Sequence, residues 1–281
     1  MTDRPAGSRP SCIVTGASSG IGAAAAVEIA RRGYDLGLTG RNRDRLEQVA
    51  ADCRGQGVAV HTYAAYFGRL TEVRDLAAAL RRDWSRIDVL VNNAGMVTQR
   101  REVTDDGFER MFAVNHLAPY LLTRLLLPRL EESVPSRVVV VASDAHKFDR
   151  LDVGDYQSER SWQPLKVYGR SKLCNVLFAQ ELSRRVDGVS VSAVHPGFVS
   201  TSLARANRVA DVGLKLIRPL IRSPEKGART TVQLATEPIG ADAGGRYFAD
   251  GKPARLASWA DDRALAERLW ADSARMVGLE P

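Results

Sequence analysis

The sequence predicts one α/β domain with a doubly wound parallel sheet of about seven strands and helices on both faces. Two observations lead to this prediction. Apolar runs of strand length alternate along the chain with segments in which apolar residues recur every three or four positions. The strands are continuously apolar, as in parallel sheets that helices cover on both sides, and 281 residues are enough for a full core.

The elements alternate in a regular order along the chain. Apolar runs predict strands at residues 11–15, 35–39, 58–65, 87–92, 136–143, 189–196 and 245–250. Helical periodicity predicts helices at residues 22–32, 43–54, 70–84, 108–130, 167–185 and 263–277. A strand followed by a helix and a further strand, repeated in this way, is the pattern of the doubly wound sheet.

Two segments stand apart from this rhythm. Residues 1–10 lack an apolar pattern and are predicted to be a disordered tail, which leaves residues 11–281 as one domain. Residues 201–223 mix polar and apolar positions without a strand, directly after the end of one. Ligands of open α/β sheets bind beyond the carboxyl ends of the strands, so we expect this segment to cover a substrate. The alternative is an ordinary helical excursion on the surface.

Composition excludes several classes of function. The net charge is +7 and the pI about 9.6, yet the arginines are spread in short pairs at helix ends, which argues against a nucleic-acid face. Three scattered cysteines and four histidines have no ligand spacing, so neither a disulfide framework nor a metal is expected. No apolar run approaches the roughly 20 residues that cross a bilayer, and we expect a cytoplasmic protein with no membrane contact.

A glycine-rich turn lies between the first strand and the first helix. In "TGASSGIG", residues 15–22, the glycines at 16, 20 and 22 allow a tight turn, close approach of a pyrophosphate and packing of the helix on the sheet. The helix N-terminus itself favours negative charge. The motif alone is weak, but in this place it indicates a Rossmann-type dinucleotide site.

A second motif, "YGRSK" at 168–172, lies on a predicted helix. Tyr168 and Lys172 are one turn apart and therefore lie on the same side of it. A tyrosine with a pKa near 10 is a poor acid at neutral pH, but an ammonium about 4 to 5 Å away contributes roughly 3 to 4 kcal/mol, or two to three pKa units. We therefore expect Lys172 to lower the pKa of Tyr168. The alternative is a phenol lying over a lysine stem on a solvated face.

Taken together, six segments resemble the short-chain dehydrogenase/reductase family. They are "TGASSGIG", "NNAG" at 92–95, Asn115, Ser143 at the end of the fifth strand, "YGRSK", and "HPGFVST" at 195–201. Stretches such as "AVNHLAPYLLT", "SKLCNVLFAQEL" and "LWADSARMVGL" are similar to the retinol dehydrogenase-like branch of that family.

The resemblance implies roles for individual residues. Tyr168 would be the general acid/base, Ser143 would bind the same substrate oxygen, and Lys172 would hold the nicotinamide ribose and tune Tyr168. Asn115 would anchor a water that resupplies protons through Lys172. The residues implied to bind the cofactor are Gly16, Ser18, Ser19, Gly20, Ile21, Gly22, Arg41, Asn93, Ala94, Gly95, Tyr168, Lys172, Pro196, Gly197, Val199 and Thr201.

Departures from the family pattern bear on the cofactor. At the end of the second strand, where NAD enzymes carry an acid, the chain has Gly40 followed by Arg41, which favours the phosphate of NADP(H). Arg43 could assist. Tyr66 replaces the acid that usually receives the adenine amino group, so binding of the adenine would depend on stacking or on backbone groups.

Residues 144–167 are predicted to be a long loop, and we expect this loop to form one wall of the substrate site.

We therefore predict an NADP(H)-dependent oxidoreductase that interconverts a carbonyl and an alcohol on a fairly apolar small molecule. One alternative is another reaction on the same residues, either reduction of an activated double bond or epimerisation through a transient ketone. A second is a non-catalytic protein that binds NADP(H) as a sensor, although a sensor has no need of a tuned acid. The sequence leaves three oligomeric states open: a monomer, a dimer and a tetramer.

Overall fold

The computed structural model describes residues 9–197, 223–238 and 244–281. The predicted tail at 1–10 lies mostly outside these ranges. The predicted cover at 201–223 lies outside them except for its last residue.

The described elements alternate largely as the sequence predicts, but the helix at Pro224–Thr236 was not predicted. The strands are β1 (Ser11–Val14), β2 (Asp35–Gly40), β3 (Val60–Ala64), β4 (Val89–Asn92), β5 (Ser136–Val141), β6 (Val189–His195), β7 (Tyr247–Ala249) and β8 (Lys252–Pro253). The α-helices are α1 (Gly20–Arg31), α2 (Arg43–Arg54), α3 (Leu70–Asp83), α4 (Arg110–Phe112), α5 (Ala118–Glu132), α6 (Pro164–Arg185), α7 (Pro224–Thr236) and α8 (Arg263–Met276).

One sheet contains all of these strands, in the order β3-β2-β1-β4-β5-β6-β7-β8. Every neighbouring pair is parallel except β7 and β8, which are antiparallel. The count exceeds the expected seven because β8 is a two-residue edge strand, too short to leave an apolar pattern. The strand order reverses between β1 and β4, and the crevice at their carboxyl ends is where doubly wound sheets bind ligands.

Helices cover both faces of the sheet because alternate strand residues point to opposite sides. Ile13 of β1 belongs to a core with α3, α5, α6 and α8. Its neighbours Cys12 and Val14 belong to the other core, with α1, α2 and α7. Both cores are built mainly from aliphatic side chains that are almost fully buried. The α/β class and the two helical layers that the sequence predicts are therefore confirmed.

The long helix predicted at 108–130 is wrong in detail. Helix α4 gives way to a π-helical turn at Ala113–Leu117 before α5 begins. A π-turn inserts one extra residue into a helix, which periodicity cannot detect, and such turns are frequent at functional sites. Its middle residue, Asn115, is fully buried and makes hydrogen bonds outside the helix.

Across the described ranges, none of the helices has both the length and the apolar character that a membrane span requires. In the same ranges, no group of three or more His, Cys, Asp or Glu side chains is arranged to hold a metal ion.

Candidate active site

Helix α6 carries Tyr168 to the end of β5 because its backbone packs closely on the turn at Asp144–Lys147. A Cβ atom at Gly169 would lie 2.5 Å from the carbonyl oxygen of Ala145, so only glycine allows this approach. The hydroxyl of Tyr168 consequently forms a hydrogen bond with Ser143. The glycine at position 169 thus helps to bring the side chains of Ser143 and Tyr168 together.

The ionisation of Tyr168 differs from the expectation based on Lys172. Burial raises the pKa of Tyr168 to about 12, and the hydrogen bond with Ser143 opposes this only in part. The Lys172 ammonium lies over the Tyr168 ring, with its nitrogen 5.8 Å from the ring centroid. Burial therefore decides the pKa of Tyr168, and at neutral pH the side chain is a protonated hydrogen-bond donor.

Lys172 is buried between α6 and β5. Its Nζ donates to the carbonyl oxygen of Val141 at 2.9 Å, and Asn175 donates to the same oxygen at 3.2 Å. Only 3% of the lysine is exposed, and this burial lowers its pKa to about 8. The side chain is thus still mostly charged at neutral pH, but it loses its proton much earlier than a free lysine does.

Asn115 connects the loop after β4 to α6. Its Oδ1 accepts from the backbone of Met96 at 2.7 Å, and its Nδ2 donates to the Met96 carbonyl at 3.0 Å and to Ser171 Oγ at 2.9 Å. Ser171 in turn donates to the carbonyl of Tyr168 at 2.7 Å. The π-turn therefore fixes Gly95 and Met96 beside the start of the Tyr168–Lys172 turn. Sequence reasoning missed this contribution of Ser171.

Further residues that sequence reasoning missed hold the turn after Ser143. His146 Nδ1 lies 2.7 Å from the Ser143 carbonyl, and its Nε2 accepts from the backbone of Ala257 at 3.3 Å. A carbonyl can only accept and an N–H can only donate, so the imidazole carries its proton on Nδ1. Burial lowers the pKa of His146, which keeps it neutral. The sequence shows a histidine three residues after Ser143, but its hydrogen-bond partner Ala257 lies 111 residues away, so no local pattern reveals the contact.

The turn has two more anchors from the neighbouring strands. His195, at the end of β6, accepts from the backbone of Asp144 at 3.2 Å. Tyr247 of β7 donates to the Asp144 carboxylate at 2.8 Å. Three separate parts of the chain thus position Ser143.

The glycine loop is shaped by close contacts with the loop after β4. Gly16 has φ +67°, and a Cβ atom there would lie 2.8 Å from the Cα of Ala94. A Cβ at Gly22 would lie 2.4 Å from the carbonyl oxygen of Gly16. Asn93 Nδ2 donates to the Thr15 carbonyl at 2.8 Å, which ties the two loops together. Helix α1 begins directly behind them, without an acidic residue in its first turn.

One cavity brings most of the predicted site residues together, at the carboxyl edge of the sheet. Those lining it are Gly16, Ser18, Ser19, Gly20, Ile21, Gly22, Arg41, Asn93, Ala94, Gly95, Ser143, Tyr168, Lys172, Pro196 and Gly197. Asn115 lies behind its wall. Val199 and Thr201, which were also predicted to bind the cofactor, lie outside the described residues.

The far end of the cavity, beyond β2 and β3, contains Gly40, Arg41 and Tyr66. The guanidinium carbon of Arg41 lies 5.9 Å from the centroid of the Tyr66 ring. The hydroxyl of Tyr66 accepts two hydrogen bonds from Arg110, from Nε at 3.0 Å and from Nη2 at 2.9 Å. This end of the cavity therefore combines an exposed cation with an anchored aromatic ring.

The residues present fit a nicotinamide dinucleotide. Gly16, Gly20 and Gly22 line the cavity beside the first turn of α1, a place that favours a pyrophosphate. The close contacts at Gly16 and Gly22 hold this glycine loop against the loop after β4. The cavity continues from there to Tyr168 and Lys172 at one end and to Arg41 at the other.

Comparison with known proteins agrees with this arrangement. The sequence profile of the short chain dehydrogenase family matches residues 11–211. Human retinol dehydrogenase 13 is 40% identical over 279 residues, which cover 95% of this chain and 84% of the relative. A protein of Streptomyces sp. (strain C5), described as a candidate daunorubicin C-13 ketoreductase, is 39% identical over 268 residues, with coverage of 95% and 92%.

Solved structures are similar as well. The crystal structure of an uncharacterised protein from Mycobacterium paratuberculosis matches with a TM-score of 0.80 and 32% identity, covering 99% of this chain and 97% of the other. A short-chain dehydrogenase from Sphingobium yanoikuyae, solved in complex with NADPH, matches with a TM-score of 0.65 and 29% identity, with coverage of 79% and 82%.

Proposed function

This chain belongs to the short-chain dehydrogenase/reductase family of oxidoreductases, and from that premise we propose that it interconverts a carbonyl and an alcohol with NADP(H). One observation carries the proposal: the hydrogen-bonded pair of Ser143 and Tyr168, with the Lys172 ammonium over the tyrosine ring, lies at one end of the cavity. Gly40 and Arg41 at the other end support the choice of NADP(H). The NADPH in the Sphingobium relative is consistent with that choice.

The chain's own residues supply the proton in the proposed reaction. NADPH, when bound, supplies the hydride. Tyr168, which is protonated at neutral pH, donates to the carbonyl oxygen as negative charge develops there. Ser143 Oγ is a second donor for that oxygen and is held in place by its turn before the reaction starts. Lys172 stabilises the phenolate that forms, and Asn115 would direct proton resupply to it.

The proposed substrate is a fairly apolar small molecule. The names of the relatives, a retinol dehydrogenase and a candidate daunorubicin ketoreductase, support this class. Phe148, in the loop after Ser143, is 53% exposed and lies next to Gly169, beside Tyr168. An exposed aromatic ring at that place suits an apolar partner.

The test is the oxidation of NADPH, followed at 340 nm, with a panel of apolar aldehydes and ketones. We expect turnover with at least one of them and formation of the corresponding alcohol. Reduction of an activated double bond alone, or epimerisation without net oxidation, would favour the alternative reactions. Binding of NADPH without turnover of any compound would favour the sensor. A cytoplasmic location and the oligomeric state stay predictions of the sequence.

The pH dependence follows from the buried lysine. Because the pKa of Lys172 is lowered to about 8, the charge that stabilises the phenolate is lost as pH rises through that value. We expect kcat/KM for NADPH in the reductive direction to fall above pH 8, with a slope approaching one decade per pH unit. A constant kcat/KM up to pH 9.5 would contradict this role.

Stability gives an independent readout of the same group. A lysine whose pKa is lowered on folding destabilises the fold while it is charged, so the unfolded chain binds more protons between about pH 8 and pH 10.5. Lys172→Met should therefore be more stable than the unmodified protein at pH 7, and the difference in unfolding free energy should shrink towards pH 10.5. A constant difference would mean that folding does not lower the pKa of Lys172.

A further inference from the structure

Tyr66 lies at the end of the cavity opposite Ser143, because it follows β3 whereas Ser143 follows β5, four strands away in the sheet. If Tyr168 and Lys172 hold the nicotinamide end of a dinucleotide, the base at its other end lies near Tyr66 and Arg41. The inference below therefore rests on the proposed function.

The hydrogen-bonding capacity of the Tyr66 hydroxyl is already partly used. Its oxygen accepts from both Nε and Nη2 of Arg110, at 3.0 and 2.9 Å. The remaining Nη1 of that guanidinium is paired with the carboxylate of Glu102, which fixes its orientation. A phenol oxygen has two lone pairs, so with both engaged Tyr66 can offer only its own O–H, as a donor.

The position of the ring is also fixed. A Cβ atom at Gly68 would lie 2.4 Å from the Tyr66 hydroxyl oxygen, so the phenol lies directly over this glycine. The guanidinium carbons of Arg41 and Arg110 each lie 5.9 Å from the ring centroid. The ring therefore has little freedom to turn its hydroxyl away from Arg110 and recover a free lone pair.

We propose that Tyr66 makes this site indifferent to the exocyclic amino group of adenine, so that a dinucleotide carrying hypoxanthine binds as tightly as one carrying adenine. An amino group needs an acceptor, and the anchored phenol has none to offer. A donor, in contrast, suits a ring nitrogen of adenine and the 6-carbonyl oxygen of hypoxanthine equally. A carboxylate at this position would do the reverse, since it accepts from the amino group and repels the carbonyl oxygen.

The experiment compares the Kd of NADPH with that of its hypoxanthine analogue, reduced nicotinamide hypoxanthine dinucleotide phosphate. Both are titrated against the unmodified protein without substrate, and binding is followed by nicotinamide fluorescence. We expect the two values to agree within about threefold. A preference of about tenfold or more for NADPH would overturn the proposal, and this comparison depends on no variant.

Three variants test the physical reason. Tyr66→Asp should create a preference of about tenfold for NADPH, measured as the Kd of the hypoxanthine analogue divided by the Kd of NADPH. Arg110→Met frees a lone pair on the phenol and should raise this Kd ratio as well. Arg41→Ala is the matched control: it removes the other cation over the same ring and should weaken both ligands without changing their ratio. The proposal would also be overturned if the Kd ratio stays near one in both Tyr66→Asp and Arg110→Met while their melting temperatures show that both variants are folded.

The outcomes separate this inference from the proposed function. If both dinucleotides bind equally but no carbonyl compound is reduced, the inference stands and the proposed reaction fails. If neither dinucleotide binds, the assignment of the cavity to NADP(H) fails and the inference is overturned with it.

Discussion

Tyr168→Phe is expected to lower turnover by at least about a hundredfold while NADPH binds nearly as tightly as before. The substitution removes only the hydroxyl, and the loss of a positioned general acid typically costs a factor of 100 to about 10,000. The ring that lies beside Lys172 stays, so the shape of the cavity is preserved. The measurement is kcat for carbonyl reduction together with the Kd of NADPH from fluorescence titration.

A second tyrosine provides the control. Tyr63 of β3 donates to Asp83 at 3.1 Å, outside the cavity lining, so Tyr63→Phe should leave kcat within about twofold. If Tyr168→Phe keeps most of its turnover, Tyr168 is not the general acid.

Lys172→Ala should lower both turnover and the affinity for NADPH. An unchanged affinity would contradict the proposed contact of Lys172 with the nicotinamide ribose.

The preference for NADPH over NADH is expected to be at least about tenfold, or 1.4 kcal/mol, and to be reversible by two substitutions. Arg41 can present a planar pair of donors to a phosphate that carries about −1.5 to −2 charges, and Gly40 avoids the repulsion of an acid. Gly40→Asp with Arg41→Ala should therefore reverse the preference, mainly through KM. The measurement is kcat/KM for both cofactors at low ionic strength.

The structure adds a necessary control to this experiment. A Cβ atom at Gly40 would lie 3.0 Å from the Cβ of Ser18 and 3.1 Å from its Oγ, so any side chain there requires a small shift of Ser18. Gly40→Ala with Arg41→Ala separates that crowding from charge, and it should weaken the preference for NADPH without favouring NADH. An unmodified protein that uses NADH as well as NADPH would refute the role of Arg41.

Sequence reasoning predicted the fold well because its main signals are local. Apolar strands, helical periodicity and the glycine loop together determine the layers and the crevice between β1 and β4. The π-turn at Ala113–Leu117 escaped it, because one inserted residue hardly changes an apolar pattern. The eighth strand escaped it for a similar reason, since two residues carry no periodicity.

The candidate site shows a different limit. The sequence identified Ser143, Tyr168 and Lys172 as a group, but it could not give the balance between burial and the hydrogen bond with Ser143 that decides the pKa of Tyr168. That balance depends on how closely α6 packs on the turn after β5. The contacts of His146 with Ala257 and of Tyr66 with Arg110 also join distant parts of the chain, over 111 and 44 residues, and leave no local pattern.

The most direct test of the central claim is to follow the hydride itself. NADPH deuterated at C4 of the nicotinamide, as each stereoisomer in turn, is incubated with the protein and a reducible apolar ketone. Mass spectrometry then locates the label in the product. We predict that one stereoisomer transfers one deuterium per molecule to the carbinol carbon, and that Tyr168→Phe suppresses this transfer. With an α,β-unsaturated ketone, deuterium on a carbon of the reduced double bond instead of the carbinol carbon would contradict the assignment of this chain as a carbonyl reductase. No transfer from either stereoisomer with any carbonyl compound tested would contradict it as well.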